Sequence, residues 1–95
     1  MAWILTADSI ADIDHIAAEG AKQFGFAQSE VYELQLVDMF DMLAANPYMA
    51  VERHSAAGSI RLMPVGAHNI LYVVDADDVI ILRVLHGLQN WFEQL

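Results

Sequence analysis

Three apolar, β-branched runs follow one another in the second half of the chain, and they constrain the fold more than any other feature. They cover residues 60–65, 68–74 and 79–87, and short turns at Gly66-Ala67 and at residues 75–78 separate them. Turns this short connect neighbouring antiparallel strands. The sequence therefore predicts a three-stranded antiparallel meander.

The first half of the chain predicts a short strand and a helix. The run Ala2-Trp3-Ile4-Leu5 is apolar and long enough for a strand. Thr6 or Asp8 is a suitable N-cap for a helix that continues to about Phe24. Gly25 then favours a helix stop, because glycine readily adopts the left-handed conformation that ends helices.

A second helix is predicted from about Ala27 to Ala45, because the residue before Pro47 is disfavoured in the helical region. Residues 47–58 are predicted to be an irregular connection to the strands. The predicted fold class is α+β, with a short N-terminal strand, a two-helix hairpin and then the meander. The length of 95 residues predicts a single domain over residues 1–95.

The second helix carries apolar residues on a wider face than a single contact with a sheet requires. One line along it consists of Val31, Leu34, Val37 or Asp38, and Met42. A neighbouring line consists of Tyr32, Leu36, Met39, Phe40 and Leu43. Two interpretations follow: both lines are core, one against the first helix and one against the sheet, or part of the face is reserved for a partner.

The chain has more apolar sequence than so small a body can hide. Apolar residues make up 57% of it and charged residues 18%, so an exposed apolar patch is expected, and such patches usually mark partner sites. The strands are apolar at successive positions, which is typical of burial on both faces. Two helices cover one face of the sheet. The sequence therefore predicts a hetero-oligomeric protein complex.

Charge and cysteine content exclude several function classes. Thirteen acidic and four basic residues give a formal net charge of −9, so we expect no direct sequence-specific binding of nucleic acid. The absence of cysteine excludes disulfides and Cys-based metal sites, and it is compatible with a cytoplasmic location. No segment approaches the ~20 apolar residues of a membrane span, so no membrane association is expected.

The histidines are the natural candidates for acid–base or metal chemistry. They are His15, His54, His68 and His86. None of them forms a pair with the spacing of a helical metal site, so neither a metal nor a cofactor is expected. Antiparallel pairing is expected to bring His68 and His86 to the same edge. Arg61 and Arg83 lie on the same predicted meander. Arg61, His68 and Arg83 are therefore a candidate polar cluster.

Five motifs, spanning residues 8 to 91, resemble the ParE branch of the RelE/ParE toxin–antitoxin superfamily. They are Asp8-x-x-x-Asp12-Ile13-Asp14-x-Ile16, Gln23-Phe24-Gly25, Leu43-x-x-Asn46-Pro47, Val65-Gly66-x-His68-x-Ile70-x-Tyr72, and Ile81-Leu82-Arg83-Val84-Leu85-His86-Gly87 with Trp91. The resemblance implies a toxin of a type II toxin–antitoxin system. It would inhibit DNA gyrase by protein binding, and a cognate ParD-type antitoxin would neutralise it by wrapping its hydrophobic surface.

The wide apolar face of the second helix and the C-terminal segment provide the candidate residues for these contacts. The candidate antitoxin-binding residues are Tyr32, Leu36, Met39, Phe40 and Leu43. The candidate toxic segment is C-terminal and contains His86, Leu88, Gln89, Trp91 and Phe92. No catalytic residue is predicted, because the resemblance implies a binding protein.

Two alternatives remain at this point. A RelE-like, ribosome-dependent mRNA interferase would need basic residues along the central strand and after the last strand, where this chain has Asn69, Val73, Leu88 and Gln89. A non-toxic antitoxin-binding partner is the second alternative. Family members usually carry arginine after the final-strand glycine, whereas this chain has Leu88 and Gln89 there. We expect the ParE-like function in preference to both.

Overall fold

The computed structural model describes residues 2–55 and 58–87, which form one five-stranded sheet and two helices. The elements are β1 (Ala2–Leu5), α1 (Ala7–Phe24), α2 (Phe26–Ala45), β2 (Glu52–Ser55), β3 (Gly58–Val65), β4 (His68–Asp75) and β5 (Asp78–His86). The predicted α+β class and the predicted order of strand, two helices and meander are confirmed. Neither helix has the length and hydropathy that crossing a membrane requires.

The strands are ordered β1-β5-β4-β3-β2 across the sheet. The four strands β2 to β5 pair antiparallel in chain order, whereas β1 lies parallel to β5. The hydroxyl of Thr6 donates to the carbonyl oxygen of Leu82 at 2.8 Å, and its oxygen accepts from the amide of Ser9 at 3.1 Å. Thr6 therefore caps α1 and ties the start of that helix to β5.

The connection between the helices and the meander is less irregular than predicted. Residues Glu52–Ser55 form β2, in which Arg53 pairs with Ile60 of β3. Glu52, Arg53 and His54 are exposed at the edge of the sheet. A polar edge strand lacks the apolar alternation by which strands are identified in a sequence, and its conformation comes from pairing with β3.

The two helices pack closely where they cross near their shared corner. The hydroxyl of Ser29 donates to the carbonyl oxygen of Ala17 at 2.9 Å. A Cβ at Gly20 would lie 3.0 Å from the Ser29 Oγ, so the absence of a side chain at Gly20 permits this approach. The helix break itself falls at Gly25, whose φ of 87° favours glycine.

The main core lies between the helices and one face of the sheet. Its buried members are Leu36, Phe40, Leu43, Ala50, Ile70, Tyr72, Val79, Ile81 and Val84. Ile13 and Ile16 of α1 pack against this core. The buried hydroxyl of Tyr72 donates to the carbonyl oxygen of Pro47 at 2.8 Å, which satisfies its hydrogen-bonding capacity and holds the end of α2 near the sheet.

Among residues 2–55 and 58–87, a second, smaller cluster consists of residues of β3, β4 and β5. Its buried members are Ile60, Leu71 and Leu85, and Val73 and Leu82 pack against them. Leu71 lies between Ile70 and Tyr72 in β4, and successive side chains of a strand point to opposite faces. The second cluster therefore lies on the face of the sheet that points away from α1 and α2.

Candidate functional site

The structure separates the two apolar lines of α2. Leu36, Phe40 and Leu43 are 0–1% exposed and belong to the main core, so these three predicted antitoxin-binding residues do not form an accessible surface. Tyr32 and Met39 are half-buried at the edge of the same core. Helical periodicity identifies a line of apolar residues without showing which line faces the sheet, so the sequence did not distinguish these buried three from the exposed line.

The other apolar line of α2 is exposed. Val31, Leu34, Val37 and Met42 expose between 39% and 58% of their surface, and we call these four residues the α2 stripe. Phe24 and Phe26, at the corner between the helices, are 69% and 77% exposed. Solvent-exposed apolar residues grouped in this way are typical of a protein-binding surface.

The charged residues of α2 make this surface acidic. The helix contains four acidic residues, Glu30, Glu33, Asp38 and Asp41, and no lysine, arginine or histidine. Asp41 accepts a hydrogen bond from the indole Nε1 of Trp3 at 2.8 Å. An apolar stripe on an acidic helix is complementary to a partner segment that combines apolar and basic side chains.

A groove of about 840 Å³ lies between α1, α2 and the ends of β4 and β5. The side chains that line it include Asp12, His15, Glu19, Phe24, Tyr32, His68 and His86. The predicted juxtaposition of two histidines is confirmed, because His68 pairs with His86 across the strands and the ring centroids are 5.5 Å apart.

Tyr32 holds His68 in place within this groove. The Tyr32 hydroxyl lies 2.7 Å from Nδ1 of His68 and 3.0 Å from the carbonyl oxygen of Val65. Gly66, at a φ of 54°, makes room for the phenol, because a Cβ there would lie 2.8 Å from the Tyr32 hydroxyl. Burial raises the pKa of Tyr32, which keeps the phenol protonated and able to donate.

The pKa of His68 is lowered from its ordinary value of 6.5, first by burial and then by the neighbouring His86. The unfolded chain therefore takes up a proton more readily at this position than the folded chain. We expect the free energy of unfolding to decrease as the pH falls through and below about 6.5. The variant His68→Gln should show a smaller decrease between pH 7 and pH 5, measured by urea denaturation.

The control for this titration is His54→Gln, which replaces an exposed histidine of β2. It should leave the pH response of the unmodified chain in place. An equal pH response of the His68→Gln variant and the unmodified chain would contradict the role given to His68.

Asp12 and Arg83 form the strongest polar contact at the edge of the groove. The carboxylate of Asp12 accepts from Nε of Arg83 at 2.7 Å and from Nη2 at 2.8 Å, and it also accepts from the amide of Val84 at 3.0 Å. The hydrogen bond that Arg83 donates to Asp12 is the first cause of the raised pKa of Arg83. The pair joins α1 to β5 and engages the guanidinium of Arg83 in a structural contact.

The predicted polar cluster is divided between different parts of the sheet. Arg61 donates to the carbonyl oxygen of Ala50 at 2.7 Å and lies 5.0 Å from the ring of Tyr48. Val65 is the cross-strand partner of His68 and follows Arg61 by four residues in β3. The backbone positions of Arg61 and Val65 are therefore about 13 Å apart along the strand. Arg61 and His68 therefore do not form one site, and Arg83 is paired with Asp12.

Of the predicted toxic segment, only His86 lies within the described residues. Leu88, Gln89, Trp91 and Phe92 lie outside them. Residues 2–55 and 58–87 also contain no group of three side chains suited to binding a metal ion.

Three comparisons with known proteins agree with this architecture. A family model described as the ParE toxin of a type II toxin–antitoxin system, parDE, matches residues 3–91. Toxin ParE3 of Caulobacter vibrioides is 26% identical over 84 residues, which cover 88% of this chain and 84% of that protein. A solved structure described as a chromosomal ParDE TA system from P. aeruginosa has the same fold, with a TM-score of 0.78 at 18% identity over 90% of this chain and 95% of that chain.

Proposed function

Because this chain belongs to the ParE toxin family of type II toxin–antitoxin systems, we propose that it inhibits DNA gyrase by protein binding and is neutralised by a ParD-type antitoxin. The observation that carries the antitoxin contact is the exposed α2 stripe on an acidic helix. In this proposal the chain acts by occupying a protein surface and not by catalysis.

The environment of Arg61 and Arg83 supports a binding protein over an mRNA interferase. Cleavage of RNA needs cations that hold phosphate and an acid–base pair near the 2′-hydroxyl. Arg83 is engaged by Asp12, and Arg61 is engaged by the carbonyl oxygen of Ala50. The central strand has Asn69 and Val73 at positions where the interferase branch is expected to carry basic residues. These contacts favour the non-enzymatic proposal.

The antitoxin contact is proposed on the exposed line and not on the line predicted from the sequence. Leu34 is 58% exposed near the middle of the α2 stripe, and Glu30 and Glu33 lie beside it on the same helix. A segment with apolar residues flanked by lysine or arginine would bury the stripe and pair with these carboxylates. The partner surface is therefore proposed to be apolar and basic. Introducing a positive charge into the α2 stripe tests this proposal.

The gyrase proposal is tested with the purified chain in a DNA supercoiling reaction. We expect the chain to inhibit gyrase, the antitoxin to reverse this inhibition, and ribosome-bound mRNA to remain intact in a parallel reaction. A chain that ends at Gly87 tests the proposed toxic segment, because it should lose inhibition and retain antitoxin binding through α2. Rapid cleavage of ribosome-bound mRNA with no effect on gyrase would instead establish the interferase alternative.

A further inference from the structure

The connection between α2 and β2 carries a second exposed apolar surface. Tyr48, Met49 and Val51 expose between 45% and 68% of their surface, and together with the exposed Arg53 we call them the edge patch. A depression of about 310 Å³ adjoins it, and its lining includes Val51, Arg53 and Pro64. An apolar cavity of about 150 Å³ is enough to hold benzene, so this depression has room for an apolar side chain. The edge patch is therefore a second candidate for a protein contact.

The depression exists because β3 is longer than β2. Their pairing ends at Glu52 and Arg61, so residues 62–65 of β3 have no strand on that side among residues 2–55 and 58–87. Val65 and His68 pair across the two-residue turn, so the backbone groups of Pro64, one residue earlier, are directed to the open edge. Proline has no N–H to donate to an added strand. This edge is therefore suited to receive side chains of a partner rather than a further strand.

The charges near the edge patch differ from those of α2. Arg53 is exposed, and the guanidinium of Arg61 lies 5.0 Å from the ring centroid of Tyr48. Glu52, 4.0 Å from Arg61, offsets part of this positive charge. Two of the four lysine and arginine residues of the chain thus lie at this edge, although the formal net charge is −9. The edge combines apolar and basic side chains, which is the chemistry that complements the acidic α2 stripe.

The α2 stripe and the edge patch face different directions. Successive helical residues are about 100° apart around the axis, so Leu34 points away from the core in which Leu36 is buried. The edge patch lies at the side of the sheet, next to the edge strand β2. A contact between stripe and patch therefore joins two molecules head-to-tail. A contact between two stripes would instead bring the four carboxylates of one α2 against the same four of another, which is unfavourable.

We propose that a second copy of this chain docks its edge patch onto the α2 stripe, with Val51 against Leu34 and Arg53 facing the carboxylates of α2. Each end of such a pair keeps one free stripe or one free patch, so the assembly grows with protein concentration. This self-association does not rest on the gyrase or antitoxin proposals, because it uses two surfaces of the chain alone. An antitoxin bound to the α2 stripe would compete with it.

The proposal is tested by mixing two variants that disrupt opposite sides of the contact. Leu34→Arg disrupts the stripe and leaves the patch intact, whereas Val51→Glu disrupts the patch and leaves the stripe intact. Light scattering after size-exclusion chromatography should show a mass that rises with concentration for the unmodified chain, and each variant alone should associate at least about tenfold more weakly. An equimolar mixture should form a one-to-one dimer, because one intact stripe meets one intact patch and growth then stops.

Two variants with matched charges are the controls. Gln35→Arg lies outside the stripe and Ala18→Glu lies on α1, both at exposed positions, and both should associate like the unmodified chain. If circular dichroism showed that Val51→Glu does not fold, Arg53→Glu would test the same patch. An unmodified chain that stays monomeric at every concentration, or a mixture of folded variants that stays monomeric, would overturn the proposal. Undiminished association of Leu34→Arg alone would also overturn it, because the contact would then lie on another surface.

Discussion

Replacing Asp12 with alanine is expected to lower the free energy of unfolding by about 3 kcal/mol, measured by urea denaturation at neutral pH. The carboxylate accepts two hydrogen bonds from Arg83 and one from the amide of Val84. The side chains of Asp12 and Arg83 are only 14% and 21% exposed, so water cannot fully replace these contacts. Removing the Asp12 carboxylate deprives the partly buried guanidinium of Arg83 of two charge-assisted hydrogen bonds and the amide of Val84 of its acceptor.

The matched control for this substitution is Asp8→Ala in the first turn of the same helix. Asp8 is exposed and acts on Arg83 only through its charge, without a hydrogen bond in the structure, so it isolates the direct contact of Asp12; a carboxylate near a helix N-terminus contributes about 0.3–1 kcal/mol. The double variant Asp12→Leu with Arg83→Met should recover part of the lost stability, because it removes both charges together. If Asp12→Ala lowered the free energy of unfolding no more than Asp8→Ala, the contact between Asp12 and Arg83 would not contribute substantially to stability.

Replacing Leu34 with arginine is expected to weaken antitoxin binding at least about 100-fold, or nearly 3 kcal/mol. The change removes an apolar contact from the α2 stripe and introduces a charge that repels the basic partner we propose. Leu34 is exposed, so the free energy of unfolding should change by less than about 0.5 kcal/mol. Isothermal titration calorimetry with the ParD-type antitoxin, sought in the adjacent reading frame, measures the affinity.

The control variant Gln35→Arg adds the same charge at the next position of the helix. Gln35 is exposed and lies outside the α2 stripe. The Gln35→Arg variant should therefore bind antitoxin with nearly the affinity of the unmodified chain. Equal losses for the two variants would indicate a general effect of charge and would remove the stripe from the proposed interface.

In the second helix, hydrophobic periodicity predicts the apolar lines but not which of them is buried. Its two apolar lines were both recognisable in the sequence, but the line that includes Leu36 and Phe40 is core and the line that includes Leu34 is exposed. The choice depends on how α2 lies across the sheet and against α1, which are contacts between segments far apart in the chain. A single sequence does not specify those contacts through local spacing.

Asp12 illustrates the same limit for polar residues. Its position near the start of α1 suggests an interaction with the helix terminus, whereas its carboxylate binds a side chain 71 positions away. The pairing of His68 with His86 could be predicted, because short turns fix the register of a meander. Local turn geometry is readable in the sequence, and the angle at which α1 meets β5 is not.

The parallel pairing of β1 with β5 has a consequence for the timing of synthesis. Residues 2–5 leave the ribosome well before the strand that they pair with, which is made only when residues 78–81 have been added. The start of α1 is likewise fixed to β5, through the hydrogen bond from Thr6 to Leu82. A nascent chain therefore cannot complete its sheet until β5 has been made, since contacts of such sequence separation form only after both segments exist. The packing of both helices against a complete sheet is therefore delayed until residues 78–81 are available to pair with β1.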